Sequence, residues 1–324
     1  MSLVSVLIIA HNQRKYISEA VNSVLSQQGD VDYEILIGDD CSTDGTTDIL
    51  EEFRSRFPDK IKLFVREKNI GASKNLYLLL AAASGKYVAT LEGDDYWCDK
   101  YKLISQVEFM ETHPRFIGCC GDCTLIGEDG RLSGDGFLPW ISYNRKFTFK
   151  SFKGIFLPGQ TSTMMYRNIF SEYPELRNMY EVHPQISDRT IVMLYSMKGN
   201  FYRLNRILGC YRKFSDGSVT DKIYKNENSV VDYDINEKLS QLASDIENKK
   251  ICFRTRKLKI CGSALIKSLI RKSPANSECL KQVISRVGKI KFIAISPIAV
   301  FVAIMTKLSE KIRKIKFEIR SKNR

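Results

Sequence analysis

Several things this chain lacks narrow what it is. It has no disulfide framework: nine cysteines are odd in number and scattered, which argues against a stapled secreted fold and for a reducing compartment. The tightest group, CCGDC (Cys119, Cys120, Cys123), has no second Cys/His pair at zinc-site spacing, so it reads as small thiols in a strand. The opening MSLVSVLIIAHN carries no basic segment and no small-residue cleavage site, so it is expected to be a first β-strand and not a secretory leader. No uninterrupted apolar run reaches the roughly 18 to 20 residues of a spanning helix. Internal repeats and low-complexity linkers are missing too. Acid is scarce in one place only. From Lys249 to Arg324 stand 21 Lys and Arg against 3 Asp and Glu, a local +18 within a total of +13, which leaves the rest of the chain at −5. A mildly acidic body and a strongly basic tail face different partners.

What is present is ordinary globular material. The 324 residues are 44% hydrophobic and 27% charged, enough for one large domain with an appendage. The first third alternates two patterns. VSVLIIA, YEILIGDD, IKLFV and KYVATLEG are continuous apolar runs of the kind buried parallel strands show. Between them lie RKYISEAVNSVLSQ, STDGTTDILEEFRSRF and GASKNLYLLLAAAS, with apolar residues at helical spacing; the middle one is expected to take Ser or Thr as its N-cap. Alternation of this length predicts a doubly wound parallel sheet. Farther on, YKLISQVEFMETHP predicts a helix and FIGCCGDCTLIGEDGRL a hairpin turning at Asp129-Gly130. TSTMMYR predicts a strand, SDRTIVMLYSMKG a helix and FYRLNRILGCYRKFSDGS a strand pair. From about Asn226 the pattern is helical, ending in KFIAISPIAVFVAIMTK, an apolar stretch interrupted by Pro297.

In such sheets a ligand crevice lies past the carboxyl ends of the strands. AHN, GDDCSTDG and EGDDYW all fall on that rim. Glu92, Asp94 and Asp95 repel one another unless something positive sits among them. Oxygen ligands of this kind suit a hard divalent cation, Mn²⁺ or Mg²⁺, shared with a substrate's phosphates. A solvated acidic turn capping the next helix is the alternative.

VSVLIIAHNQRKYISEAVNSVLSQ, YEILIGDDCSTDGT, NIGASKNLYLLLAAASGKYVATLEGDDYW and YRKFSDGSV, taken in order, resemble the inverting family 2 glycosyltransferases over residues 3 to 218. The resemblance implies a GT-A fold: an α/β, Rossmann-like, mostly parallel sheet flanked by helices, here with a helical basic C-terminal extension. The catalytic domain would be 1–222, with a nucleotide-binding half (1–100) and an acceptor half (101–222), followed by a membrane-associating region (223–324). By position, Asp40 would bond the base of a nucleotide, usually uracil, with the Ala10 backbone and His11 lining the same pocket; Tyr is commoner at the latter. Lys74 occupies a basic position near the nucleotide. Asp94 and Asp95 match the acidic motif that serves ribose and metal, and Glu92 stands where Asp is usual. Inverting transfer needs a base opposite the leaving diphosphate. Asp188 is the candidate, with Ser187 replacing the usual Glu. Gln160, Thr161 and Ser162 would floor the sugar and acceptor site, and Trp97 would stack on a sugar face. Arg212 and Ser218 would serve the diphosphate, where Phe214 replaces a common histidine.

The apolar stretch Phe292–Met305, flanked by Lys289, Lys291, Lys307 and Lys311, is too short to span but suits an element lying in a membrane interface. Lysines there contribute roughly 1 kcal/mol each near an anionic leaflet. The alternatives are a packed helix hairpin or a homodimer interface. Nucleic acid is not expected, since the tail has no recognisable motif and few aromatics. The sequence thus predicts a metal-dependent transferase on the cytoplasmic face of the membrane, using a nucleotide-sugar, a UDP-sugar by expectation. Its acceptor would be a lipid-linked or growing surface glycan. A sugar-phosphate nucleotidyltransferase would want glycines after the first strand, and AHNQRKY has none. A degenerate, membrane-bound binding module is the rival outside catalysis.

Overall fold

In a computed structural model, residues 4–133, 136–170, 179–184, 187–213, 229–270 and 273–322 are described. The chain divides into two compact units. One comprises residues 1–136, 140–152 and 156–213; the other comprises 137–139, 153–155 and 214–324.

The first unit is an α/β sandwich. Strands β1 (Val4–Ala10), β2 (Tyr33–Asp39), β3 (Ile61–Val65) and β4 (Tyr87–Glu92) alternate with helices α1 (Ile17–Leu25), α2 (Thr46–Arg56) and α3 (Ala72–Ala82). These four strands are parallel and almost wholly buried in β1, β2 and β4, as their mostly apolar runs require. After α4 (Lys102–Thr112) come β5 (Phe116–Ile126), β6 (Lys146–Phe147), α5 (Phe149–Phe152), β7 (Met165–Arg167), α6 (Met179–Val182), α7 (Asp188–Lys198) and β8 (Asn200–Arg212). The sheet order is β3-β2-β1-β4-β7-β5-β8-β6. It turns mixed at β7, which runs antiparallel to both β4 and β5.

Four local expectations change. The hairpin at Asp129-Gly130 keeps its turn and, among the described residues, one bridge, Ile126 to Leu132, because β5 spends its edge on β8. The expected strand pair is a single strand, β8, which absorbs register shifts as it pairs with β5. Only the last part of TSTMMYR is a strand; Thr161–Thr163 is a 3₁₀ turn. The N-cap of α2 is Gly45, and Asp44, one residue earlier, accepts from the Thr46 N–H at 3.0 Å.

The second unit is helical: α8 (Ser229–Glu247), α9 (Arg254–Ile270), α10 (Pro274–Val287) and α11 (Lys289–Lys322). Pro297 does not interrupt the last of these, which runs 34 residues. The carbonyl a proline strips of its partner lies four residues back. Here that residue is Ile293, on an exposed side where water can take it.

Candidate active site

Register builds the rim. Ala10 lies opposite Asp39, and Ile9 opposite Glu92, so the ends of three strands meet. The Asp40 N–H donates to the Ala10 carbonyl at 2.9 Å and the Gly93 N–H to the Ile9 carbonyl at 3.0 Å, which stitches both polar loops to β1. Gly93 leaves room between the two acids for the Gln13 side chain, whose oxygen and the Ile17 Cδ1 methyl would have to move for a Cβ there.

On the nucleotide side, Asp39 is consumed by the fold: it accepts from Ser42 and Thr47. Asp40 is buried, and its two oxygens accept the backbone N–H groups of Ile70 and Gly71 at 2.7 and 2.9 Å. His11 is exposed beside it, with Nδ1 2.9 Å from the Asp40 carbonyl. Two residues here were not singled out from sequence. The Asn69 amide lies 3.4 Å from His11 and from the Asp40 carbonyl. Arg66, at the end of β3, faces Asp40; burial lowers its pKa while the Asp40 charge raises it, and one of its terminal nitrogens is buried with no hydrogen-bond partner. Their signal was positional, since REKN follows a strand on the same rim. Lys74 is exposed on α3, its amine 5.7 Å from the Tyr180 ring centroid.

The three acids after β4 have different surroundings. Asp95 is buried; Oδ2 accepts from Gln160 Nε2 at 2.9 Å and Ser162 Oγ at 2.7 Å, while Oδ1 accepts the Arg212 N–H at 2.9 Å. Among the described residues, no donor from another residue reaches the carboxylates of Glu92 or Asp94. Burial, then repulsion from Asp95, Asp94 and Asp188, holds Glu92 well above the usual carboxylate range. Burial also pushes Asp94 up to about 6, against its own N–H and the Arg212 charge. Asp95 is raised as well, by burial first and Asp94 second, against the pull of its three donors.

Asp188 opens α7, accepts the Arg189 N–H at 2.7 Å, and is raised by burial. Its charge is felt at Glu92, so the structure brings the base candidate to the acidic rim. Gln160 and Ser162 lie there too, as Asp95's donors, and the Thr161 carbonyl accepts the Thr90 hydroxyl at 2.8 Å.

Two placements correct the sequence reading. Trp97 has no open face for a sugar: it is 4% exposed, its indole N–H donates to the Ser162 carbonyl at 2.7 Å, and the Lys102 amine sits 3.9 Å from its ring centroid. An aromatic two residues past an acid can turn inward as readily as outward, and here the core takes it. Arg212 is also withdrawn from a diphosphate. Its guanidinium donates to the carbonyls of Asp94, Gly127 and Glu128 and to Glu19, with a side chain only 3% exposed. Ser218 and Phe214 lie outside the described residues.

The acids fit a divalent cation. Asp95 is buried and Glu92 and Asp94 are half-buried, a negative group short of protein donors at the latter two, and Mn²⁺ or Mg²⁺ needs only one or two carboxylates when phosphates and water complete its shell. Among the described residues, no three His, Cys, Asp or Glu side chains gather as a self-sufficient metal cage.

Residues 5–173 match the family described as Glycosyl transferase family 2. The chain belongs to that family. TuaG of Bacillus subtilis (strain 168), named for teichuronic acid biosynthesis, is 44% identical over 128 residues, 40% of this chain and 49% of its own length. WfaP of Escherichia coli, named a UDP-Glc:alpha-D-GlcNAc-diphosphoundecaprenol beta-1,3-glucosyltransferase, is 38% identical over 117 residues, 36% of this chain and 45% of its own. This chain spans 60% of the length of the Mycobacterium relatives it matches. Staphylococcus aureus TarS 1–349, solved with UDP-GlcNAc, superposes with a TM-score of 0.63 at 18% identity, covering 98% of this chain and 89% of that one. The GT-A architecture is thereby shared.

Proposed function

We propose that this protein is an inverting, metal-dependent glycosyltransferase that moves a sugar from a nucleotide-sugar, specifically a UDP-sugar, to a hydroxyl of a lipid-linked or growing surface-polysaccharide glycan at the cytoplasmic face of the membrane. The observation that carries the reading is the convergence on one rim of the Asp40 pocket, the donor-poor carboxylates of Glu92 and Asp94, and Asp188. The names of TuaG and WfaP support the glycan acceptor. WfaP's donor and the TarS ligand support UDP.

The geometry supports the following contributions from the chain's own residues. Asp40, held rigid by two backbone N–H groups, presents fixed acceptors to a base, with His11, Asn69 and Arg66 around it. Glu92 and Asp94 are the residues that would hold Mn²⁺ or Mg²⁺; when bound, the ion supplies Lewis-acid stabilisation to the departing diphosphate. Asp95 fixes the Gln160–Ser162 turn beneath the acceptor. Asp188 takes the proton of the attacking hydroxyl, and a carboxylate raised by burial is a stronger base than an exposed one.

The test is a screen of nucleotide-sugars for thermal stabilisation with Mn²⁺, followed by nucleoside diphosphate release with acceptor. An Asp188→Asn variant should keep donor-induced stabilisation and lose roughly 10²- to 10⁴-fold in turnover. Stabilisation by no nucleotide-sugar, or wild-type turnover in the variant, refutes the proposal.

A further inference from the structure

The last helix has two apolar faces, and the fold uses one. Phe292, Ala299 and Ala303 of α11 are buried; the first two join a core with Tyr233, Leu258 and Val283. The approach is close, since a side chain at Gly262 would overlap the Ala299 carbonyl. On the opposite face, Ile298, Phe301, Met305, Leu308, Ile312 and Ile315 follow one another at steps of three and four residues, each 46–63% exposed. Such steps keep side chains on one stripe of a helix. Turning about the axis at 3.6 residues per turn, exposed lysines join the C-terminal half of that stripe: Lys307 and Lys311 along one edge, and Lys316 at the other just past Ile315. Lys291 precedes the stripe, and Phe292–Thr306 carries no charge.

This double-faced construction explains the segment's hydropathy. Its best 18-residue window averages 2.0, enough by length and composition to cross a membrane, which the sequence reading had not expected. A crossing helix, however, shows apolar side chains all round and confines charge to its ends. Here Lys307 and Lys311 stand along one edge within the stripe's own length, and the face of Phe292, Ala299 and Ala303 is already packed on protein. An apolar stripe edged by lysine, opposite a face that protein already covers, is the pattern of a helix lying flat in an interface. Charge also selects the occupant: a second copy would bring a region of net +18 against itself, whereas an anionic surface complements it.

We infer that the outer face of α11 docks on an anionic lipid surface, with the Ile298–Ile315 stripe among the acyl chains and the flanking lysines at the lipid phosphates. The inference deepens the proposed function by giving a lipid-linked acceptor's enzyme its surface, and rests on that reading for its purpose. Lipid binding is measured without donor or acceptor, so either can fail alone.

The experiment floats the full chain with phosphatidylglycerol/phosphatidylcholine vesicles and with phosphatidylcholine vesicles. Two variants accompany it: Phe301→Gln/Leu308→Gln/Ile312→Gln, and Lys307→Gln/Lys311→Gln/Lys316→Gln. All six side chains are exposed, so both variants should melt like the wild type. The wild type is expected to float with the anionic vesicles only, and each variant to bind them at least ~10-fold more weakly. Undiminished binding in the variants, or equal binding to neutral vesicles, overturns the inference. So does a stripe variant that loses molecular mass in light scattering without a lipid effect, which would make the face a contact between copies. Wild-type protein that resists alkaline extraction from cell membranes would make α11 a spanning helix and overturn it equally.

Discussion

Glu34 offers a test of the fold that leaves the active site alone. It sits near the start of β2, at the end of the parallel sheet opposite the rim, and is 8% exposed. One carboxylate oxygen accepts from Ser5 Oγ at 2.7 Å and from the Ser84 N–H and hydroxyl at 3.0 and 2.6 Å; the other pairs with Lys62 at 2.9 Å. Burial raises its pKa, but Ser84, Ser5 and Lys62 together outweigh that and bring it from 4.5 down to about 2. A folded-state value below the unfolded one means stability that is full above about pH 4.5 and lost as pH falls toward 2. The difference is worth on the order of 3 kcal/mol at neutral pH. By the same linkage, about 0.8 kcal/mol is gone at pH 4 and about 2 kcal/mol at pH 3. Glu34→Gln should therefore be less stable at pH 7 by about 2–3 kcal/mol, and the gap should close along that curve. Urea unfolding followed by tryptophan fluorescence is the assay; both tryptophans, Trp97 and Trp140, belong to the first unit, so the helical unit does not report. A gap of constant size from pH 7 to pH 3 would show that shape, not charge, is at stake and refute the reasoning.

The acidic loop predicts two variants that part company. Asp94→Asn should weaken Mn²⁺ binding, measured by titration calorimetry, at least ~10-fold with little change in melting, whereas Asp95→Asn should turn an amide N–H toward the Arg212 N–H or the Gln160 and Ser162 donors and cost about 1–3 kcal/mol in urea unfolding. Equal stability losses in the two would remove the distinction. In the helical unit, Gly262→Ala should destabilise by about 1–3 kcal/mol because its Cβ meets the Ala299 backbone, which cannot rotate away; an unchanged melt would mean that α9 and α11 are not packed this closely.

How far the sequence could be read depends on what kind of signal each feature left. β1 falls on VSVLIIA residue for residue, because a strand covered on both faces leaves a nearly continuous apolar run, here broken only by Ser5, whose hydroxyl Glu34 satisfies. The rim followed from topology: parallel strands end together, so their following loops must cluster. Side-chain direction beyond a strand's end is another matter. Nothing in EGDDYW tells which carboxylate turns toward the 3₁₀ turn or that Trp97 turns into the core, since those choices are made by Gln160, Ser162 and Arg212, more than sixty residues downstream. The length of β8 was hidden for a similar reason, because its polar middle is tolerated only where the strand slips register. The run through Pro297 was hidden by a rule that holds in buried helices and relaxes on exposed ones.

The gathering of acid after β4 can now be argued as charge balance. The cationic side chain built into the back of the loop is Arg212, and it is already committed to Glu19 and to three carbonyls. Asp95 needs no further cation, because three donors satisfy it where it is buried. Glu92 and Asp94 receive no donor from another residue among the described residues, Asp188 accepts one N–H, from Arg189, and all three are still raised by burial and, at Glu92, by one another. A fold that uses its donors on one acid and leaves its neighbours short of them carries a standing electrostatic cost, and isolated buried charge is tolerated only where something compensates it. In the free protein the raised carboxyls offset part of that cost by holding protons. Under the proposed function, a cation brought in with a diphosphate would offset the repulsion that remains at Glu92, so part of a donor's affinity would be stored in the loop before the donor arrives.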